Sequence, residues 1–257
     1  MLELRSRDDV TEIRMAHGKA SALDLELCDA LTRAVTDAAP RARALVLTGT
    51  GRIFSAGVDL PRLLREGPEY QRRFLGALSR AIVTLFECER PVVAAVNGHA
   101  IAGGCILAAA CDWRLMVEAG ATIGVPELAV GVPFPVAALE VVRCAVGEAV
   151  AARLIVSHAN LPPAAAAACG LVHALVPPAE LESAAFAEAR RLAAIPSASF
   201  ALAKRALRAP ASERIRATRS LDDDVTSAWQ SPEVHRAIAG YVDATLGKSR
   251  PPRSEGS

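Results

Sequence analysis

Apolar positions along this chain fall into short continuous runs broken by glycine-rich turns, and between the runs lie stretches with the 3.6-residue spacing of helices. Thr11 to Met15 is predicted as a strand. After the turn at His17-Gly18 a helix is expected near Ser21, with Asp24 three positions on forming an approximate capping box. Leu23, Leu27, Leu31 and Val35 mark its buried face. Ala44 to Leu47 reads as a buried strand that runs into Thr48-Gly-Thr-Gly51, and the loop Phe54-Ser-Ala-Gly-Val-Asp-Leu60 follows. Pro61 to Glu89 is helical, with an interruption at Gly67-Pro68. Strand, loop, helix and strand at this spacing imply an α/β layered domain with a largely parallel sheet.

The next stretch, Pro91 to Leu115, is the most apolar and organises the rest. Val92 to Val96 is rich in β-branched residues and suits a strand covered on both faces, which Asn97-Gly98 then ends as a turn. Cys105 to Cys111 is apolar all round, so the helix that begins at Gly103-Gly104 belongs inside the protein rather than on its surface. Two adjacent glycines at a helix start let a ligand approach bare backbone, with unpaired N–H groups and the positive end of the helix dipole aimed at it. That arrangement stabilises an oxyanion; equally, the glycines can serve close packing of a buried helix.

Trp113 to Val117 is a further strand, followed by the loop Ala121-Thr-Ile-Gly-Val-Pro-Glu-Leu128. Phe134 to Val146 and Ala149 to Val156 are helices, Asn160-Leu-Pro-Pro163 is a turn, Ala164 to Cys169 is a short helix stopped by Gly170, and Leu171 to Val176 returns as a strand. Beyond Pro177-Pro178 everything reads as helix: Ala179 to Ala194, Ser197 to Leu207, a stretch around Ser212 to Trp229, and Pro232 to Leu246, the last opened by an N-cap serine before proline in Ser231-Pro232-Glu233. The chain therefore divides into an α/β core over 1–178, a helical region over 179–247 and a polar, proline-containing tail over 248–257 with no reason to be ordered. These late helices are more numerous and apolar than one core can cover, which calls for a partner copy.

Composition narrows the function classes. With 29 basic against 28 acidic residues, nothing points to nucleic acid or to a membrane surface as partner. The run from Ala100 to Cys111 falls short of the ~18 apolar residues that span a bilayer, and the opening MLELRSRDDV has no signal-peptide pattern, so a cytoplasmic protein is expected. Cys28, Cys88, Cys105, Cys111, Cys144 and Cys169 are scattered without a CxxC pair and read as buried free thiols. The five histidines lack ligand spacing, and His99 beside the glycine turn reads as structural. Arg62, Arg65, Arg72, Arg73 and Arg80 read as a solvated helix face.

Glu127 stands out. It is a lone carboxylate between Pro126 and Leu128 in an apolar loop, so it either caps something or has a raised pKa and moves protons.

Three segments taken together, Phe54-Ser-Ala-Gly-Val-Asp-Leu60, Asn97-Gly-His-Ala-Ile-Ala-Gly-Gly-Cys105 and Ile123-Gly-Val-Pro-Glu127 with Leu128-Ala-Val-Gly131, resemble the crotonase, or enoyl-CoA hydratase/isomerase, superfamily in their order and spacing. The likeness covers nearly the whole chain. It implies an α/β spiral of β-β-α repeats with C-terminal helices that assemble trimers, often paired into hexamers. It also implies an acyl-CoA thioester as partner and substrate, with coenzyme A arriving as part of it and no tightly bound cofactor or metal. By the same resemblance the N–H groups of Val58 and Gly103 form an oxyanion hole and Glu127 is the catalytic carboxylate. Lys19, Ala20, Ala56, Asp59, Leu60 and Ile106 fall at substrate-contacting positions. Tyr241 matches an aromatic that closes over the nucleotide, whereas Ala244 stands where related hydratases carry a basic residue. The segment Arg62 to Leu78 is expected to shape the acyl pocket.

The sequence departs from the hydratase pattern at Ile106. Hydratases of this superfamily place a glutamate there and a second one at the position of Glu127, and the pair holds and activates water. One carboxylate suffices to move a proton between two carbons. The pattern Ala102-Gly-Gly-Cys-Ile106 with Cys-Asp-Trp-Arg114 is similar to the 3-enoyl-CoA to 2-enoyl-CoA isomerases. A hydratase-like or hydrolase-like enzyme, or a non-catalytic acyl-CoA-binding oligomer, are the alternatives.

Overall fold

A hairpin opens the chain: β1 (Leu2–Arg7) runs antiparallel to β2 (Val10–Met15), with Leu2 opposite Met15 and Arg7 opposite Val10. The computed structural model describes residues 1–218 and 220–246, so the tail expected from Lys248 onward lies outside the described residues. β1 escapes a reading by apolar periodicity because every residue after Leu2 in it is exposed. The first helix, α1 (Leu25–Ala38), begins at Leu25 and not near Ser21. Asp24 is itself the N-cap, accepting the Leu27 N–H at 2.8 Å, while Ser21 sits at φ 44° and donates its hydroxyl to Met15 O at 2.8 Å.

From there the chain repeats one unit: a strand, a tight turn, a shorter strand, then helix. β3 (Ala44–Thr48) and β4 (Ile53–Ser55) lead to α2 (Leu60–Glu66) and α3 (Pro68–Glu87). β5 (Val92–Val96) and β6 (His99–Ile101) lead to α4 (Gly103–Ala110). β7 (Trp113–Val117) and β8 (Ile123–Gly124) lead to the single turn α5 (Glu127–Val130). After α6 (Val136–Val146) and α7 (Glu148–Ser157) come β9 (Asn160–Leu161), α8 (Pro163–Ala168) and β10 (Ala174–Val176). The long strands form a six-stranded sheet in the order β1-β2-β3-β5-β7-β10, parallel apart from β1, and the short ones a second sheet, β4-β6-β8-β9. This is the expected spiral of β-β-α turns. The second sheet was invisible to periodicity, since two or three residues cannot display an alternation.

All eight residues of α4 are buried, against α3, α6 and the short strands β4 and β6. A Cβ on Gly104 would lie 2.4 Å from Ser55 O, so this helix touches β4 at backbone distance. Close packing thus accounts for the second glycine of the pair.

The C-terminal helices fold back onto the core. α9 (Leu181–Ala193) covers β3, β5 and β7. α10 (Ser197–Ala217) runs straight through Pro210, where the sequence suggested a break after Leu207. An internal proline costs about 3 kcal/mol, and here tertiary anchors on both sides offset it. Lys204 Nζ and Arg208 both donate to Asp112, at 2.7 and 2.8 Å, and Arg214 Nε donates to Glu140 Oε2 at 2.6 Å. α11 (Leu221–Trp229) and α12 (Pro232–Leu246) follow. The Ser231 hydroxyl accepts the Val234 N–H at 3.2 Å, the cap read from the sequence. α12 lies across α2 and α5. Among the described residues no helix is long and apolar enough to cross a membrane.

Candidate active site

Because β4, β6 and β8 are parallel neighbours, their C-terminal ends emerge at one edge of the small sheet. The residues that follow them, Ala56 to Val58, Ala102-Gly103 and Val125 to Glu127, are therefore brought together although up to seventy positions apart in sequence. A cavity of about 70 Å³ lies between them, lined on its other sides by residues of α2, α3, α6, α11 and α12. Of the residues singled out in the sequence, Ala56, Val58, Leu60, Gly103, Ile106, Glu127 and Tyr241 line it.

Lys19, Ala20 and Asp59 do not. Ala20 is one step behind the wall, its carbonyl accepting the Ala56 N–H at 3.0 Å, and Lys19 is exposed on the preceding turn. Asp59 has a local role as N-cap of α2, accepting the Arg62 N–H at 3.0 Å. Of the segment Arg62 to Leu78, only Leu78 reaches the cavity. Arg62 itself is no solvated bystander: it grips both oxygens of Glu26 at 2.7 and 2.8 Å, reaches Asp24 at 2.9 Å and stacks over Tyr70, joining α2 to α1.

Two of the residues that line this cavity carry backbone donors with nothing else to bind. Neither the Val58 nor the Gly103 N–H has a protein acceptor among the described residues. The loop that carries Val58 is clamped by Leu23, whose N–H donates to Gly57 O at 2.7 Å and whose carbonyl accepts the Asp59 N–H at 3.0 Å. Gly103 is the first residue of α4, where a helical N–H is necessarily unpaired. Ala102 before it adopts φ 52°, ψ −122°, a conformation that is strained for a residue with a Cβ. Its N–H donates to Gly124 O at 2.8 Å and its carbonyl accepts the Ile106 N–H at 3.1 Å, so both of its peptide groups are held and the orientation of the Gly103 N–H with them.

Glu127 is 7% exposed, and its Oε2 is buried with no hydrogen-bond partner among the described residues. It caps nothing: Pro126 is the N-cap of α5 and no side-chain cap bond forms there. Burial among Ile106, Pro126, Val130 and Val132 raises its pKa to about 8, partly offset by its own backbone N–H. Of the two roles open from sequence, a raised pKa is therefore the one the fold supplies. Among the described residues Glu127 is also the sole carboxylate lining the cavity, and Ile106, 2% exposed, lines it as well.

His99 lies outside the cavity and accepts the Thr122 N–H at 3.2 Å, a structural tie. Four thiols, those of Cys28, Cys88, Cys105 and Cys111, are buried as expected, and burial pushes their pKa values up. Cys144 and Cys169 depart from that expectation: Cys144 is exposed, because it falls on the outer side of α6, and Cys169 is half-buried. Sequence reasoning passed over Trp229, which is 2% exposed, lines the cavity and donates from Nε1 to Pro133 O at 3.0 Å. The usable signal was its place as one of two tryptophans, two residues before the cap of the last helix.

A family model described as enoyl-CoA hydratase/isomerase matches residues 5–246. The "Putative enoyl-CoA hydratase" of Thermus thermophilus is 39% identical over 176 residues, 66% of this chain and 67% of that protein. The human mitochondrial enoyl-CoA delta isomerase 1 is 28% identical over 204 residues, 78% of this chain and 68% of that one. The fold is also that of the crystal structure of human mitochondrial delta3-delta2-enoyl-CoA isomerase, with a TM-score of 0.92, 23% identity and coverage of 97% of this chain and 99% of that one.

Proposed function

Since this chain belongs to the enoyl-CoA hydratase/isomerase family, we propose that it is an isomerase that shifts the double bond of a 3-enoyl-CoA to give the 2-enoyl-CoA. The observation that carries the reading is the solitary carboxylate: among the described residues Glu127 is the one acid on the cavity lining, and Ile106, which by the family resemblance stands where hydratases carry their second glutamate, lines it beside Glu127. Adding water across a double bond needs a base for one proton of the water and an acid for the other carbon, both positioned. Moving a proton from C2 to C4 needs one group that takes it and gives it back.

In this reading the thioester oxygen accepts the Val58 and Gly103 N–H groups. The Glu127 carboxylate takes the C2 proton, and the electron pair released spreads over C2, C4 and the oxygen as a dienolate. Protonated Glu127 then returns the proton at C4, leaving the double bond between C2 and C3 in conjugation with the thioester. No atom is gained or lost. Two preorganised donors in a water-poor site are worth several kcal/mol to the developing oxyanion. A base whose pKa lies near working pH loses little driving force on either transfer. The assay is the rise in absorbance of the conjugated thioester when purified protein meets a 3-enoyl-CoA; hydration of a 2-enoyl-CoA without isomerisation would overturn the proposal.

The pH dependence follows from the same group. The carboxylate is the active form, so kcat/KM is expected to rise with a one-proton slope through about pH 8 and to level above it. A profile already flat from pH 5 to 9 would mean that Glu127 does not carry the proton.

The reading extends to assembly. Leu202 and Leu207 on α10 are 61% and 78% exposed and Val156 on α7 is 72% exposed, apolar surface that a second copy of the chain would cover. Light scattering is expected to give the mass of a trimer or of a pair of trimers at micromolar concentration, and a monomer mass would remove this part of the proposal.

A further inference from the structure

The cavity has an open end and a closed one. Ala56 is exposed and Leu60 and Tyr241 are half-buried, whereas Leu78, Ala138 and Trp229 are 3%, 0% and 2% exposed. A ligand that enters past Ala56 and engages Val58 and Gly103 has its far end directed at Leu78, Ala138 and Trp229. The space available is about 70 Å³. An apolar cavity of about 150 Å³ holds one benzene, so this one takes about three carbons beyond the carbonyl and the first carbons that lie at its open mouth, which makes an acyl group of about four to six carbons.

The closing wall is built, not a side chain free to swing. The Trp229 indole is held by its bond to Pro133 O, and the helix that carries it is fastened at both ends. Asp222 accepts the Val136 N–H at 2.9 Å, at the start of α6, and Gln230 Nε2 donates to Pro68 O at 2.8 Å, at the start of α3. Rotating the indole away would break a part-buried hydrogen bond, and moving α11 would pull against two helices. Behind the wall is a groove of about 740 Å³ whose lining includes Leu75, Val83, Ile215 and Val225 and which shares Pro135 with the cavity.

We propose that Trp229, backed by Leu78, sets the acyl chain length and confines this protein to short acyl-CoA thioesters of about four to six carbons. The inference rests on the acyl-CoA reading of the site, though not on which reaction takes place there.

Wild type, Trp229→Ala and Leu78→Ala, each as the full chain, are to be compared on 3-enoyl-CoA thioesters of four to ten carbons, with calorimetric binding of butyryl-CoA and decanoyl-CoA in parallel. Wild-type kcat/KM is expected to fall about tenfold or more for each two-carbon extension past six, the usual penalty for methylenes that a closed pocket cannot take. Trp229→Ala should flatten that series and tighten decanoyl-CoA by about tenfold or more, with a smaller change for butyryl-CoA. Decanoyl-CoA bound by wild type as tightly as butyryl-CoA overturns the wall, whether or not isomerisation occurs. An unchanged preference in both folded variants overturns it too. No turnover with any thioester, alongside a binding preference for the short chain that Trp229→Ala abolishes, supports the wall and counts against the isomerase reading alone. Should Trp229→Ala not fold, Leu78→Ala, which removes less volume from the same wall, decides the matter by the same criteria.

Discussion

Glu127→Gln is expected to lower isomerase turnover on the order of a thousandfold while leaving acyl-CoA binding nearly unchanged, consistent with the two to four decades that a positioned proton carrier supplies. The amide keeps the shape of the side chain and has no lone pair basic enough to take the C2 proton. Binding should persist because the contacts proposed for the thioester, the Val58 and Gly103 N–H groups and the apolar walls, are untouched. A second readout separates this from a folding defect. Burial raises the Glu127 pKa to about 8, so the folded state holds its proton more tightly than the unfolded state does. That mismatch is absent in acid, where both states are protonated. It grows as pH rises through the ordinary carboxylate range and is complete above about pH 8, where the ionised group destabilises the fold. Glu127→Gln should therefore melt above wild type at pH 8 to 9, with the difference vanishing below about pH 4. An inactive variant that is also more stable in alkali is the signature expected; wild-type turnover would mean the proton travels by another group.

Gly57→Ala should be nearly as damaging, though the residue has no side chain and no direct part in the chemistry. Its φ of +82° disfavours any residue with a Cβ, and an added Cβ would stand 2.8 Å from Ile101 O and 2.9 Å from the Ala102 Cβ. Neither neighbour can retreat easily. Ala102 is tied through its N–H to Gly124 and through its carbonyl to Ile106, so the loop bearing Val58 must move away from Gly103 instead. Separating the two donors removes one from reach of the oxyanion, a loss of about a hundredfold to a thousandfold in kcat. Thermal unfolding of the variant and kcat against KM would be measured together. A fall confined to KM, or full activity in a folded variant, would show that the Val58 N–H is not a working donor.

The strands, helices and buried faces that repeat along the sequence are where its reading was closest to the structure. Val92 to Val96 and the all-apolar Cys105 to Cys111 require burial on every side, and the fold can meet that only by placing them between layers. Glu127 was conspicuous for a related reason: a charge among apolar neighbours is anomalous before any fold is known. The serine cap of α12 and the aspartate in the first helix turn were legible too, although Asp24 proved to be the cap itself and not its partner three residues on. These are local properties, set by neighbours within a few positions.

What depended on distant neighbours was not visible in the same way. β1 is polar and exposed, and it exists because β2 offers it an edge; β8 and β9 are two residues each and exist because the small sheet continues across them. Pro210 reads as a break, yet Asp112 and Glu140 anchor α10 on either side of it. Trp229 became a cavity wall only because α11 is fastened to α6 and α3. Local pattern and composition suffice for the alternation of layers, the buried helix and the lone carboxylate. Only folding leaves Glu127 Oε2 without a partner among the described residues, places Val58, Gly103 and Glu127 on the lining of one small cavity, and puts Trp229 in its wall, because each depends on which distant backbone segments a parallel sheet brings to the same edge.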